Sequence, residues 1–228
     1  MSRMYPPPRR RTHAGLFGLF CWVFALSPLH ADPGLWKTAV DELTKLDAEN
    51  PPAPHGIAFV GSSSIRFWET LAQDFPGLPV IRRGFGGSEL ADSVFYYDRI
   101  VLPYHPDTVV LYAGENDIHA GVPPETVAKN FEFFRQKLRA TLPDTRLIYI
   151  TMKPSPARWE EREKATRANA LIAAACATDP HCIFLDVYSA MLDTNGQPRP
   201  ELFREDKLHM NADGYAIWIR LLNPLLRK

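Results

Sequence analysis

Five short apolar runs punctuate the chain, at 57–60, 79–81, 108–112, 147–150 and 183–187. They are rich in β-branched residues and do not alternate with polar positions. A strand with one wet face would alternate with period two, so this pattern predicts strands covered on both faces. Between the runs, apolar positions recur every three or four residues. Leu90, Val94, Tyr97 and Val101 make one stripe; Val127, Phe131, Phe134 and Leu138 make another. Each stripe lays one face of a helix on a core. Trp36, Val40, Leu43 and Leu46 predict a helix over 34–48, an Ala-rich segment predicts one over 157–177, and an amphipathic segment predicts a last one over 212–225. Strands alternating with helices require right-handed crossovers, hence a parallel sheet between two helical layers. The predicted fold class is α/β, a three-layer α/β/α sandwich on a five-stranded parallel sheet.

The N-terminus departs from that pattern. Arg3, Arg9, Arg10 and Arg11 precede an apolar run at 14–27, and Pro28-Leu29-His30-Ala31 leads to Asp32. This reads as a signal peptide over 1–31 with cleavage after Ala31, and hence as an exported protein, periplasmic or secreted. The run is shorter than the about 20 apolar residues that span a bilayer, so no stable membrane insertion is expected after cleavage; an uncleaved anchor is the alternative. Cys21 follows Phe20 rather than a small residue, which argues against a lipid anchor. Residues 32–55 then form an N-terminal helix and a linker stiffened by Pro51, Pro52 and Pro54, and 56–228 form a single domain.

Charge narrows the partners. The 26 basic residues balance 26 acidic ones, but 1–31 holds four of the basic and none of the acidic, leaving 22 against 26, a net of −4. A slightly acidic chain without basic clusters is not built for nucleic acid. Cys176 and Cys182 remain after export. A disulfide between them is chemically permitted, and two small buried hydrophobes are the alternative.

Ligands of open parallel sheets bind beyond the carboxyl ends of the strands. After the first run stands Gly61-Ser62-Ser63-Ser64-Ile65-Arg66; after the second, Arg83-Gly84-Phe85-Gly86-Gly87-Ser88; after the third, Ala113-Gly114-Glu115-Asn116-Asp117. Asp206-Lys207-Leu208-His209 precedes the last helix. Each block is weak alone, and their joint placement on one sheet edge is the signal. A serine hydroxyl needs a base to become a nucleophile. His209 can serve, since imidazole titrates near about 6.5, and Asp206 can fix its tautomer. The oxyanion formed at an acyl carbon needs donors already in place. The Gly87 N–H, the Asn116 amide and the Ser63 N–H at a helix start are candidates. Residue chemistry alone does not rank Ser62, Ser63 and Ser64.

Other readings are weaker. Gly84, Gly86 and Gly87 could suggest a dinucleotide loop, but Glu89 stands where its third glycine belongs. His55 lies in the linker, while His105 and His181 precede strands; His119 is the one rival base, without an Asp-x-x-His partner. No His, Asp, Glu or Cys group has metal-ligand spacing. Arg158 and Trp159, in the loop after the fourth run, are candidate substrate contacts through charge or stacking; a rigid proline loop with Trp159 packed on its helix is the alternative.

The blocks and their order resemble the SGNH hydrolase superfamily, in its GDSL-like acylhydrolase branch, from about 57 to 225. Ser63, Gly87, Asn116 and His209 match the residues of the family name, and Asp206 matches the acid before the histidine. The usual Gly-Asp-Ser is Gly61-Ser62-Ser63 here, as in a bacterial subgroup with Gly-Ser-Ser-Ser-Ile-Arg. The resemblance selects Ser63 among the three serines and implies the flavodoxin-like SGNH fold over 56–228, without metal or organic cofactor. It further implies a carboxylic ester hydrolase, with small-molecule or envelope glycan or lipid esters as substrates. With no long apolar insertion to form a lid, short acyl groups are expected. An acyltransferase acting on sugar hydroxyls, or an inactive glycan- or lipid-binding module, are the alternatives. Lys207, standing where a small residue is common, is expected to change only the loop surface.

Overall fold

A computed structural model of the chain describes residues 34–227; the predicted signal peptide over 1–31 lies outside the described residues. Five strands, β1 (Ile57–Gly61), β2 (Val80–Gly84), β3 (Thr108–Tyr112), β4 (Arg146–Ile150) and β5 (Cys182–Leu185), form one sheet in the order β2-β1-β3-β4-β5. Every pairing is parallel. The helices are α1 (Lys37–Glu49), α2 (Ser63–Arg66), α3 (Leu71–Asp74), α4 (Leu90–Phe95), α5 (Tyr97–Ile100), α6 (Glu115–His119), α7 (Pro124–Thr141), α8 (Arg162–Cys176) and α9 (Ala212–Leu226). This is the expected three-layer sandwich. No helix among the described residues is long and apolar enough to cross a membrane.

Burial explains why the strands read as unbroken apolar runs. Alternate side chains of one strand enter different cores. Ala58, Val60, Val109, Leu111, Leu147 and Tyr149 meet α1, α4, α5, α7 and α8 on one face. Phe59, Val110, Tyr112, Ile148 and Ile150 meet α2, α3 and α9 on the other. Both faces exclude water, so neither set of positions is free to be polar. The second core is aromatic: Trp68 stacks on Tyr215 at 4.9 Å and packs edge-on against Trp218 at 5.9 Å.

Several boundaries differ from the sequence expectation: β5 ends at Leu185 rather than 187, α1 starts at Lys37 rather than 34, and three larger differences have a visible cause. The edge strand β2 runs past its apolar run through Arg82 and Arg83 to Gly84. The polar end of β2 is masked in sequence because Arg83 is buried by tertiary partners, the Asp47 carboxylate at 2.5 Å and the Tyr104 ring at 4.4 Å. The stripe at 90–101 is two short helices meeting at Tyr96, not one. The helix expected from 157 starts as a 3-10 turn at Pro156–Glu161 and becomes α-helical at Arg162.

The chain moves from β1 outward to β2, then returns across β1 to β3. The carboxyl ends of β1 and β3 therefore flank the topological switch point, where helices leave in opposite directions and open a crevice.

Candidate active site

The β1–α2 junction presents Ser63. Gly61 closes β1 with φ of 143°, and a Cβ there would fall 1.9 Å from the Tyr112 carbonyl oxygen. Only glycine allows β1 and β3 to converge so closely in that backbone conformation. The three serines then separate by role. Ser62 donates its N–H to Tyr112 O at 3.2 Å, continuing the ladder beyond the strand. Ser64 is buried, and its carbonyl accepts from the Tyr215 hydroxyl at 2.8 Å, which ties α2 to α9. Ser63 remains half-buried, with its Oγ 3.0 Å from His209 Nε2.

The far side of the imidazole is held by Asp206. Its Oδ2 lies 2.7 Å from His209 Nδ1, while its Oδ1 accepts the Leu208 and His209 backbone N–H groups, each at 2.9 Å. Partial burial would push this carboxyl up, but the His209 hydrogen bond and the two backbone donors outweigh it and hold the group down at about 2. An ionised Asp206 can only accept, so Nδ1 carries the proton and Nε2 turns its lone pair toward Ser63. Phe67 meets the imidazole edge-on at 4.9 Å and limits its rotation. Lys207 sits between Asp206 and His209 at φ of 55°, a left-handed conformation uncommon for a residue with a Cβ. It is thus part of the turn geometry, and its carbonyl accepts from Ala157 N–H at 3.1 Å, joining the histidine loop to the β4 loop.

Gly87 and Asn116 come from the β2 and β3 ends. Gly87 has φ of 85°, and a Cβ there would meet the Trp36 indole at 2.9 Å. Asn116 donates from Nδ2 to the Ser88 carbonyl at 2.8 Å, which locks the third block to the residue after Gly87. Among the described residues, neither the Ser63 nor the Gly87 N–H has an acceptor in the protein, as free oxyanion donors require. Helix α2 is a single turn, so the dipole behind Ser63 N–H is weaker than a long helix would supply.

Arg158 lies inside the site wall, its Nη1 3.0 Å from Asn116 Oδ1. Trp159 is half-buried, with the Arg162 guanidinium 5.4 Å from its ring centre. His119 has a partner that the sequence did not suggest, Glu161 Oε1 at 2.7 Å, and it is the His209 ring that reaches Ser63. His55 and His105 line a groove with Ile57, Thr108 and Arg146, at the amino edge of the sheet and away from Ser63. Among the described residues no group of His, Cys, Asp and Glu could hold a metal ion. Cys176 and Cys182 are free thiols with sulfurs 2.7 Å apart.

Sequence reasoning missed two features. Beneath Asn116 lies a buried pair, Lys153 Nζ to Glu115 Oε2 at 2.5 Å. Burial would raise the Glu115 carboxyl, yet Lys153 and Arg158 beside it hold it below its usual range. Both residues stand three positions beyond a strand's carboxyl end, at the edge that carries Ser63, the signal that could have flagged them. The other feature is Trp36, whose Nε1 donates to Asp92 at 2.8 Å while its ring covers Gly87. Its stripe predicted core packing but gave no sign of proximity to the serine.

A model of the GDSL-like lipase/acylhydrolase family matches residues 55–217. Platelet-activating factor acetylhydrolase IB subunit alpha1 of Pongo abelii is 26% identical over 176 residues, covering 75% of this chain and 74% of that protein. A GDSL-like lipase of Bacteroides thetaiotaomicron superposes with a TM-score of 0.70 at 19% identity, covering 82% of this chain and 97% of that one. An acetyl-xylooligosaccharide esterase of Geobacillus stearothermophilus superposes with a TM-score of 0.63 at 14% identity, covering 77% and 95%. At those identities the two superpositions speak to the fold alone.

Proposed function

The chain belongs to the GDSL-like lipase/acylhydrolase family, and we propose that it is a serine esterase whose nucleophile is Ser63. The observation that carries this reading is the continuous line from Asp206 through His209 to Ser63 Oγ, at 2.7 and 3.0 Å. His209 Nε2 takes the hydroxyl proton as Ser63 Oγ bonds to the ester carbonyl carbon. The carbonyl oxygen becomes an oxyanion held by Ser63 N–H, Gly87 N–H and Asn116 Nδ2. His209 returns the proton to the departing alcohol and then activates water against the acyl-enzyme, regenerating Ser63.

The acyl group is short, in our reading. Two similar proteins, a platelet-activating factor acetylhydrolase and an acetyl-xylooligosaccharide esterase, are named for acetyl esters. The signal-like segment over 1–31 supports action outside the cytoplasm, on envelope glycan or lipid esters. A series of p-nitrophenyl esters of rising acyl length, with a fluorophosphonate label, tests the proposal. Acetate and butyrate should be preferred, and Ser63→Ala should abolish both turnover and labelling. Labelling that persists in this variant, or maps to Ser62 or Ser64, sinks the assignment.

A further inference from the structure

We propose that Arg158 is a positioning residue of the oxyanion hole, acting through Asn116 and seated on the buried Glu115–Lys153 pair. This rests on the reading of Asn116 as an oxyanion donor. An asparagine amide can point either way, and an inverted amide would present oxygen to the oxyanion and repel it. Here each end has a partner that accepts only one orientation. Arg158 Nη1, 3.0 Å away, can only donate and so requires Oδ1; the Ser88 carbonyl, 2.8 Å away, can only accept and so requires Nδ2. With Oδ1 and one Nδ2 proton engaged, a single N–H remains for the substrate oxygen. The bond from Arg158 is charge-assisted, and drawing electron density toward Oδ1 makes that remaining N–H a stronger donor.

The guanidinium is itself held. Arg158 lies 3.8 Å from Glu115 Oε1, which also accepts from Ser155 Oγ at 3.2 Å. Glu115 Oε2 meets Lys153 Nζ and the Tyr112 hydroxyl, each at 2.5 Å. Two cations therefore share one carboxylate in a water-poor wall; the Lys153 side chain is 1% exposed and that of Arg158 13%. The Arg158 guanidinium lies beside the place where negative charge develops, where low dielectric strengthens its effect.

The test is a double-mutant cycle on the full esterase, using Arg158→Ala, Asn116→Ala and both together, with folding checked by circular dichroism. Arg158→Ala should lower kcat by roughly 10- to 100-fold with KM nearly unchanged, the signature of an interaction made in the transition state. In the Asn116→Ala background the same change should have less than about a threefold effect, because its intermediary is gone. Arg158→Lys keeps the charge beside Glu115 but loses the fork, and should fall between wild type and Arg158→Ala. It carries the same cycle if the alanine variant does not fold. A raised KM at unchanged kcat, or full additivity with Asn116→Ala, overturns the proposal. If Asn116→Ala itself leaves kcat intact, the oxyanion reading beneath it fails instead.

Discussion

Asp117 offers the sharpest physical test of this structure. It follows Asn116, is fully buried, and accepts the Leu90 N–H on both oxygens, at 3.0 and 3.2 Å, at the start of α4. Burial pushes its carboxyl up to about 7 against an ordinary 3.8, with Glu89 and Asp92 adding repulsion and the Leu90 bond opposing it. The native state thus keeps a proton that the unfolded chain has already lost. Stability from this group is fully present below pH about 4 and is lost as pH rises through about 7. A span of about 3 pH units corresponds to about 4 kcal/mol, of which about 3 kcal/mol falls between pH 5 and 8. Asp117→Asn keeps an acceptor for Leu90 and cannot ionise. Urea unfolding at pH 5, 6, 7 and 8 should show wild type losing about 3 kcal/mol relative to the variant, equivalent to roughly 6–12 °C in Tm. Other titrating groups are common to both proteins and cancel in the difference. Parallel stability curves across this range would refute the argument that Asp117 is protonated in the fold.

Three further outcomes follow from the geometry. Asp206→Asn should lower kcat by roughly 10³- to 10⁴-fold, by inverting the imidazole tautomer while leaving KM nearly intact; steady-state kinetics with p-nitrophenyl acetate reads this directly. Gly61→Ala places a Cβ 1.9 Å from Tyr112 O, so it should cost both stability, by at least about 2 kcal/mol, and activity as Ser63 shifts; a wild-type denaturation midpoint would count against that close approach. Mild oxidation of a chain beginning at residue 32 should join Cys176 to Cys182, whose sulfurs are already 2.7 Å apart, seen as loss of two hydrogens in the peptide spanning both.

The amino-acid sequence by itself determined the layered fold and the sheet edge that gathers the candidate site residues. Apolar runs and helical stripes report what each element faces, and facing is a local property written into every turn and strand. The order of the blocks, read with the parallel topology, then put Ser63, Gly87, Asn116 and the Asp206–His209 pair on one edge. Tertiary structure alone decided the rest. Family resemblance had already selected Ser63 among the three serines, but its meeting with the imidazole is a contact across 146 positions, set by the β1–β3 register and by Tyr215 anchoring Ser64. The same holds for Arg158 on Asn116, 42 positions apart, and for Lys153 on Glu115. Arg158 and Asn116 were legible as site candidates but not as partners, and Lys153 and Glu115 look like loop surface, because periodicity records burial against apolar cores and is silent about charges that bury one another. Trp36 was legible as core, but its place over Gly87 follows only from how α1 docks on the sheet.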